Sequence, residues 1–146
     1  MELRRAGPGD ADAVADVLLA ARAEMPYLPR LHADDEVREW VRTGLVPTRE
    51  VWVAELDGRP AGFLALADDQ VDHLYVHPNV QDRGLGSALL ARAKQRSPHG
   101  LQLWVFQRNK GARRFYERHG FVLVRETDGA DNMEREPDAL YEWRPP

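Results

Sequence analysis

Between Val51 and Val76, three apolar runs are separated only by Asp57-Gly58 and Asp68-Asp69. Spacers that short cannot carry a crossover helix, so the runs must be successive antiparallel strands. Asp-Gly is also a favoured two-residue hairpin. Strands are expected at 51–56, from Arg59 or Ala61 to Ala67, and at 71–76.

Helical patterns flank this meander. A short strand over 1–6 ends at Gly7-Pro8-Gly9. Asp10 or Asp12 then caps a helix to about residue 24, with Ala13, Val17 and Ala20 on one face and Val14, Leu18 and Ala21 beside them. Pro26 and Pro29 stop it and make 25–30 an irregular connection. A second helix after Asp34 turns Val37, Trp40 and Val41 inward and ends at Gly44 and Pro47. Beyond the meander, a helix over 84–96 sets Leu85, Ala88, Leu89 and Ala93 against the sheet. A strand over 101–106, a helix over 110–119 stopped by Gly120, and strands over 121–126 and 139–143 complete the chain. The order β-α-α-β-β-β-α-β-α-β-β reads as one α/β domain over residues 1–146 with a mixed sheet.

The chain has 146 residues, 43% hydrophobic and 30% charged, enough for a core without metal or disulfide staples. It has no cysteine, which excludes disulfides, thiolate metal sites and a cysteine nucleophile. The net charge of -4 and the scattered arginines give no nucleic-acid footprint. His99 and His119 have no neighbours at metal-ligand spacing, so no metal site is expected. The start, MELRRAGPGD, lacks the apolar run of a secretory signal, and no segment is long enough to span a bilayer. The expectation is a cytoplasmic protein without nucleic-acid or membrane partners.

Residues 74–90, LYVHPNVQDRGLGSALL, run from an apolar strand through a turn with glycines at 84 and 86 into a helix. A helix N-terminus offers unpaired N–H donors and favourable polarity for a phosphate. The spacing is neither G-x-G-x-x-G nor G-x-x-x-x-G-K-[ST], so the cofactor is not the one those fingerprints mark. Gln81-Asp82-Arg83-Gly84-Leu85-Gly86 matches Q/R-x-x-G-x-G/A, the pyrophosphate signature of the GCN5-related N-acetyltransferase (GNAT) superfamily, and Leu74–Pro78 resembles that family's fourth strand and its exit. Asn109, Ala112, Phe115 and Tyr116, followed by Gly120-Phe121, resemble its N-x-x-A-x-x-F-Y feature. The element order agrees across essentially the whole chain.

The resemblance implies a mixed, mostly antiparallel sheet with a splayed parallel strand pair and helices on both faces. It implies acetyl-CoA as the donor, its pyrophosphate on Gln81, Asp82, Arg83, Gly84, Leu85, Gly86 and Ser87. Its pantetheine arm would lie along the backbone of Leu74 and Val76, with the Val76 N–H donating to the thioester carbonyl. Asn109, Ala112, Phe115 and Tyr116 complete the coenzyme contacts, the Tyr116 hydroxyl facing the departing sulfur while Phe115 packs on the sheet. Asn109 is equally suited to cap its helix. Without cysteine, direct attack by the amine in a ternary complex is the simpler scheme.

Candidates for the general base are Asp72, which shares strand parity with Leu74 and Val76, and His73, which shares it with Tyr75 and His77. Glu24 is a third. Met25, Tyr27 and His32 are candidate acceptor-pocket residues, and the acidic 128–138 connection is either a solvated surface or, through Asn132 or Glu134, favours a cationic amine. The acceptor is read as a primary amine on a small molecule, with a protein N-terminus or lysine as one alternative and a non-catalytic acyl-CoA sensor as another. Leu140, Tyr141 and Trp143 serve either the core or a homodimer interface.

Overall fold

A computed structural model describes all 146 residues. The elements are β1 (Glu2–Arg5), α1 (Ala11–Ala23), α2 (Asp34–Trp40), β2 (Glu50–Leu56), β3 (Arg59–Ala67), β4 (Gln70–Val76), α3 (Leu85–Arg96), β5 (Leu101–Phe106), α4 (Lys110–Arg118), β6 (Val122–Thr127) and β7 (Asp138–Trp143). This is the order expected from the sequence, with boundaries shifted by a residue or two. A 3-10 turn, Pro8–Asp10, precedes α1, and a π-helical turn, Val41–Leu45, extends α2.

One seven-stranded sheet runs β1-β2-β3-β4-β5-β7-β6, antiparallel throughout except for β4 beside β5. Two apolar clusters cover its faces. On one, Leu85, Leu89, Leu90 and Ala93 of α3 pack with Leu64, Leu66, Leu101, Leu103 and Tyr141. On the other, Val14, Val17 and Leu18 of α1 pack with Val41, Leu45, Val53 and Phe63. Each of the buried Val, Leu and Phe side chains stabilises the fold by about 2 kcal/mol relative to exposure.

The β2–β3 register skips Ala61, which places a bulge beside Pro60, where proline is tolerated in a strand. A second skip matters more. Ala65 faces His73 and Leu66 faces Val71, which makes Asp72 the extra residue of a bulge in β4. The parallel β4–β5 pairing holds only at Gln70↔Gln102 and Val71↔Leu103, then stops. Beyond Asp72, β4 stays with β3, whereas β5 stays with β7 from Leu101 to Phe106. The sheet therefore opens as a V, and no helix of the structure is long and apolar enough to cross a membrane.

Some expectations need correction. Asp10 does not cap α1 with its side chain; it accepts from the Gly7 N–H at 2.7 Å and pairs with Arg4. Trp40 turns only partly inward: its ring meets His73 at 5.6 Å and has Gly44 against it, yet it is 43% exposed. Leu140 and Tyr141 are buried in the core, and Trp143 packs against it.

Candidate functional site

The opening between β4 and β5 is the mouth of a cleft of about 640 Å³. The His77 N–H donates to the Ala61 carbonyl at 2.8 Å. Alternate residues of an antiparallel ladder face the same partner, so His73, Tyr75 and His77 turn their backbone groups to β3. The N–H and C=O of Leu74 and Val76 consequently face the gap that β5 has left.

At one end of the gap, α3 begins. Gly84 is its N-cap in the left-handed region, at φ +81°, and Asp82 also has positive φ at +66°. No backbone N–H from Gln81 to Ser87 donates to another protein group, whereas the Ala88 N–H returns to the Gly84 carbonyl. Gly86 lies where a Cβ would come within 3.4 Å of the Phe115 ring and 3.7 Å of Val76 Cγ2. Glycine there keeps the cleft floor open to backbone donors. Every coenzyme candidate lines the cleft except Arg83, which is exposed outside the lining.

α4 forms the opposite wall. Asn109 is its N-cap, with Oδ1 accepting from the Ala112 N–H at 3.1 Å, while Nδ2 lies 3.8 Å from Met25 Sδ. Phe115 does more than pack on the sheet. It lines the cleft over Gly86, with its ring centroid 4.5 Å from that of His119. Tyr116 is buried against Phe115 and Phe121 at 5.3 and 5.6 Å between centroids. Burial, reinforced by nearby Tyr75, pushes the Tyr116 phenol above its ordinary range. It stays protonated.

The base candidates differ in environment. Asp72 lines the cleft but its Oδ2 is held by Arg49 Nε at 2.8 Å, so part of its accepting capacity is engaged. His73 lies among Trp40, Phe63 and Tyr75, and its Nδ1 is buried without a partner. Desolvation lowers its pKa from 6.5 to about 4, against the opposing pull of Asp72. Glu24 and Met25 line the same end. Tyr27 and His32 do not. Tyr27 packs edge-on against Phe106 with its hydroxyl buried and unpartnered, and His32 is exposed, 3.8 Å from Glu36.

His73 carries a stability consequence. Its folded pKa of about 4 lies below the ordinary 6.5, so the folded chain binds fewer protons than the unfolded chain between those values. Stability is undisturbed above that window, falls as pH drops through it, and is about 3 kcal/mol lower below it. Urea unfolding of wild type and His73→Leu at neutral pH and near pH 4 checks this. The variant, freed of an unpaired buried nitrogen, should lose about 3 kcal/mol less on acidification. Equal losses would reject the assignment.

Of three further features, the sequence did not single out two, and the third contains the Asn132 and Glu134 that it named. Tyr75 lines the cleft beside His73, its phenol raised by burial, and strand parity was the signal available for it. Arg22 Nη2 reaches Glu134 Oε2 at 3.3 Å and ties α1 to the 128–137 connection. A second hollow of about 410 Å³ adjoins the cleft along Trp104–Phe106, with Asp131, Asn132, Glu134 and Asp138 in its wall.

The match that decides the family spans residues 47–123, which fit the model of the acetyltransferase (GNAT) domain. The chain belongs to the GNAT family. The GNAT relatives include YiaC of Escherichia coli K12, a peptidyl-lysine N-acetyltransferase, 36% identical over 85 residues that cover 58% of this chain and 58% of YiaC. YjaB of the same strain, also a peptidyl-lysine N-acetyltransferase, is 34% identical over 91 residues, covering 61% of this chain and 60% of YjaB. The chain thus matches less than two thirds of either relative's length. The solution structure of YjaB superposes with a TM-score of 0.79 at 24% identity, over 97% of this chain and 96% of that one. The structure of yncA from Salmonella typhimurium with acetyl-CoA superposes with a TM-score of 0.76 at 21% identity, over 99% and 93%. These superpositions show a shared GNAT fold.

Proposed function

We propose that this chain is an acetyl-CoA-dependent N-acetyltransferase whose acceptor is the side-chain amine of a protein lysine. The observation that carries the reading is the run of unpaired N–H groups from Gln81 to Ser87, opening on a cleft that holds the protonated Tyr116 phenol. Several free donors at a helix N-terminus fit a pyrophosphate. The Leu74 and Val76 backbone, facing a gap where a strand would otherwise pair, fits the amide-bearing pantetheine arm. Bound there, acetyl-CoA would supply an activated acyl thioester.

The chain's own groups then divide the work. The Val76 N–H is the donor for the acyl carbonyl oxygen, where negative charge grows as an amine attacks. The Tyr116 hydroxyl holds a proton for the departing sulfur. At the acceptor end, neutral His73 and Glu24 are the available proton acceptors, Asp72 being tied to Arg49. The cysteine-free chain has no thiol to carry an acyl group, and transfer within a ternary complex is the simpler scheme.

A small-molecule acceptor, the reading preferred from sequence, gives way to lysine because YiaC and YjaB carry peptidyl-lysine activity in their names. Asp131 and Asp138 beside the cleft also suit a cationic chain, with Glu134 paired to Arg22 and Arg125 as the one cation in the same wall. Release of coenzyme A thiol from acetyl-CoA, measured with lysine-bearing peptides, N-terminal peptides and small amines, tests this. Turnover is expected to be fastest with the internal lysine peptides. Preference for small amines would restore the earlier reading, and coenzyme binding without turnover on any acceptor would mark a sensor domain.

A further inference from the structure

His119 sits just beyond α4 and joins it to the start of α3. Its Nδ1 lies 2.8 Å from the Phe115 carbonyl oxygen and its Nε2 lies 3.1 Å from Ser87 Oγ. The Phe115 carbonyl is one of the orphan acceptors of a helix C-terminus, since the His119 N–H goes instead to Tyr116. A carbonyl oxygen can only accept, so Nδ1 must carry a hydrogen in every protonation state. In the neutral ring, Nε2 is then a lone pair and the Ser87 hydroxyl must donate to it.

Ser87 lines the cleft in the first turn of α3, among the unpaired N–H groups. With its hydrogen spent on His119, its oxygen turns lone pairs toward the cradle, where a phosphate would bring more. A proton on Nε2 reverses the bond. Nε2–H then donates to Ser87 Oγ, and the Ser87 hydrogen is free to point at a phosphate.

We propose that His119 is a positioning residue for the phosphate cradle, converting Ser87 into a phosphate donor by taking a proton from solvent at Nε2. This rests on the coenzyme A reading above. Several groups face the ring. Phe115 lies ring to ring with it at 4.5 Å. Lys94 of α3 donates from Nζ to the His119 carbonyl at 2.5 Å, and neighbouring Arg118 lines the cleft. Asp82 and Arg83 are exposed in the loop before α3. Glu117 is engaged by the Tyr141 hydroxyl, and β7 offers only Trp143, against Gly120. No carboxylate pairs with the ring; the only histidine ion pair is His32 with Glu36. A phosphate that accepts the Ser87 hydrogen would hold the bond in its reversed direction, so binding and protonation should be linked through Ser87.

The probe is 3′-dephospho-coenzyme A, whose pyrophosphate does not titrate in the histidine range. Calorimetric titrations from about pH 5.5 to about pH 8, in two buffers of different ionisation enthalpy, read affinity and proton uptake together. Wild type should take up protons on binding and bind about tenfold tighter at the acid end, the fold-change of one hydrogen bond to a charged group. Ser87→Ala and His119→Gln should both flatten the profile to within about twofold of the wild-type alkaline value. Nitrogen NMR of the free wild type should show the ring protonated at Nδ1 and bare at Nε2 at alkaline pH. Coenzyme binding without proton uptake, a full pH slope in Ser87→Ala, or the opposite tautomer would each overturn the role of His119 and leave the coenzyme reading standing. No binding at any pH would remove both.

Discussion

Replacing Tyr116 by Phe is expected to lower kcat for acetyl transfer by about a hundredfold with little loss of stability. The hydroxyl's raised pKa has burial and Tyr75 as its causes, with no hydrogen bond among them. Deleting it leaves no buried partner unsatisfied and keeps the ring on Phe115 and Phe121. The cost falls on the chemistry. A phenol held above its ordinary range is an acid throughout the physiological span and cannot act as the base, so Tyr116 should add no limb to the pH–rate profile there. Acyl donors with a more acidic thiol need less help in leaving and should narrow the gap between variant and wild type. Measuring kcat for both proteins with acetyl-CoA and with such a thioester checks the assignment. A variant within twofold of wild type on acetyl-CoA would sink it.

Tyr116 was legible because its signal is local. Asn109, Ala112, Phe115 and Tyr116 lie on two turns of one helix, and a helix fixes their relative directions without reference to the rest of the chain. The same holds for Gly84 and Gly86 at the start of α3, and for the meander, whose short turns leave one way to pair. What stayed hidden depends on partners far along the chain. The bulge at Asp72 is a mismatch of register between β3 and β4, and no residue in β4 announces it. Yet that bulge separates β4 from β5 and sets Asp72 against Arg49. Trp40 does reach His73, but it stays 43% exposed, and apolar periodicity gives a face without saying how completely it is covered. His32 and Tyr27 were grouped with Met25 by proximity in sequence, but Pro26 and Pro29 redirect the chain, and only Met25 reaches the cleft.

The 128–138 connection shows the same divide, and its acidic composition suited a solvated surface. In the fold it is pinned from within: the Asn132 side chain accepts from the Glu136 N–H and donates to the Glu136 carbonyl and to Asp138, while Glu136 is buried beside Arg108. Gly129 is the position on which this packing turns. It has φ +84°, and a Cβ there would lie 2.4 Å from the carbonyl carbon of Glu136 and 2.8 Å from its nitrogen. Those atoms are backbone, held by the Asn132 bonds, and cannot yield as a flexible side chain would. Gly129→Ala should therefore cost about 3 kcal/mol and lower Tm by about 10 °C. Gly58 is the control. It has nearly the same φ, +80°, but open space around it. Gly58→Ala should cost only about 1 kcal/mol, the price of left-handed backbone alone. Because Glu134 in the displaced segment is paired with Arg22 of α1, Gly129→Ala should also raise the acceptor KM by more than it weakens coenzyme A binding at the other end of the cleft. Thermal melts of both variants, with KM for acceptor and Kd for coenzyme A, separate the two effects. Equal Tm losses in the two variants would show that the contact with Glu136 contributes nothing beyond the strain of φ.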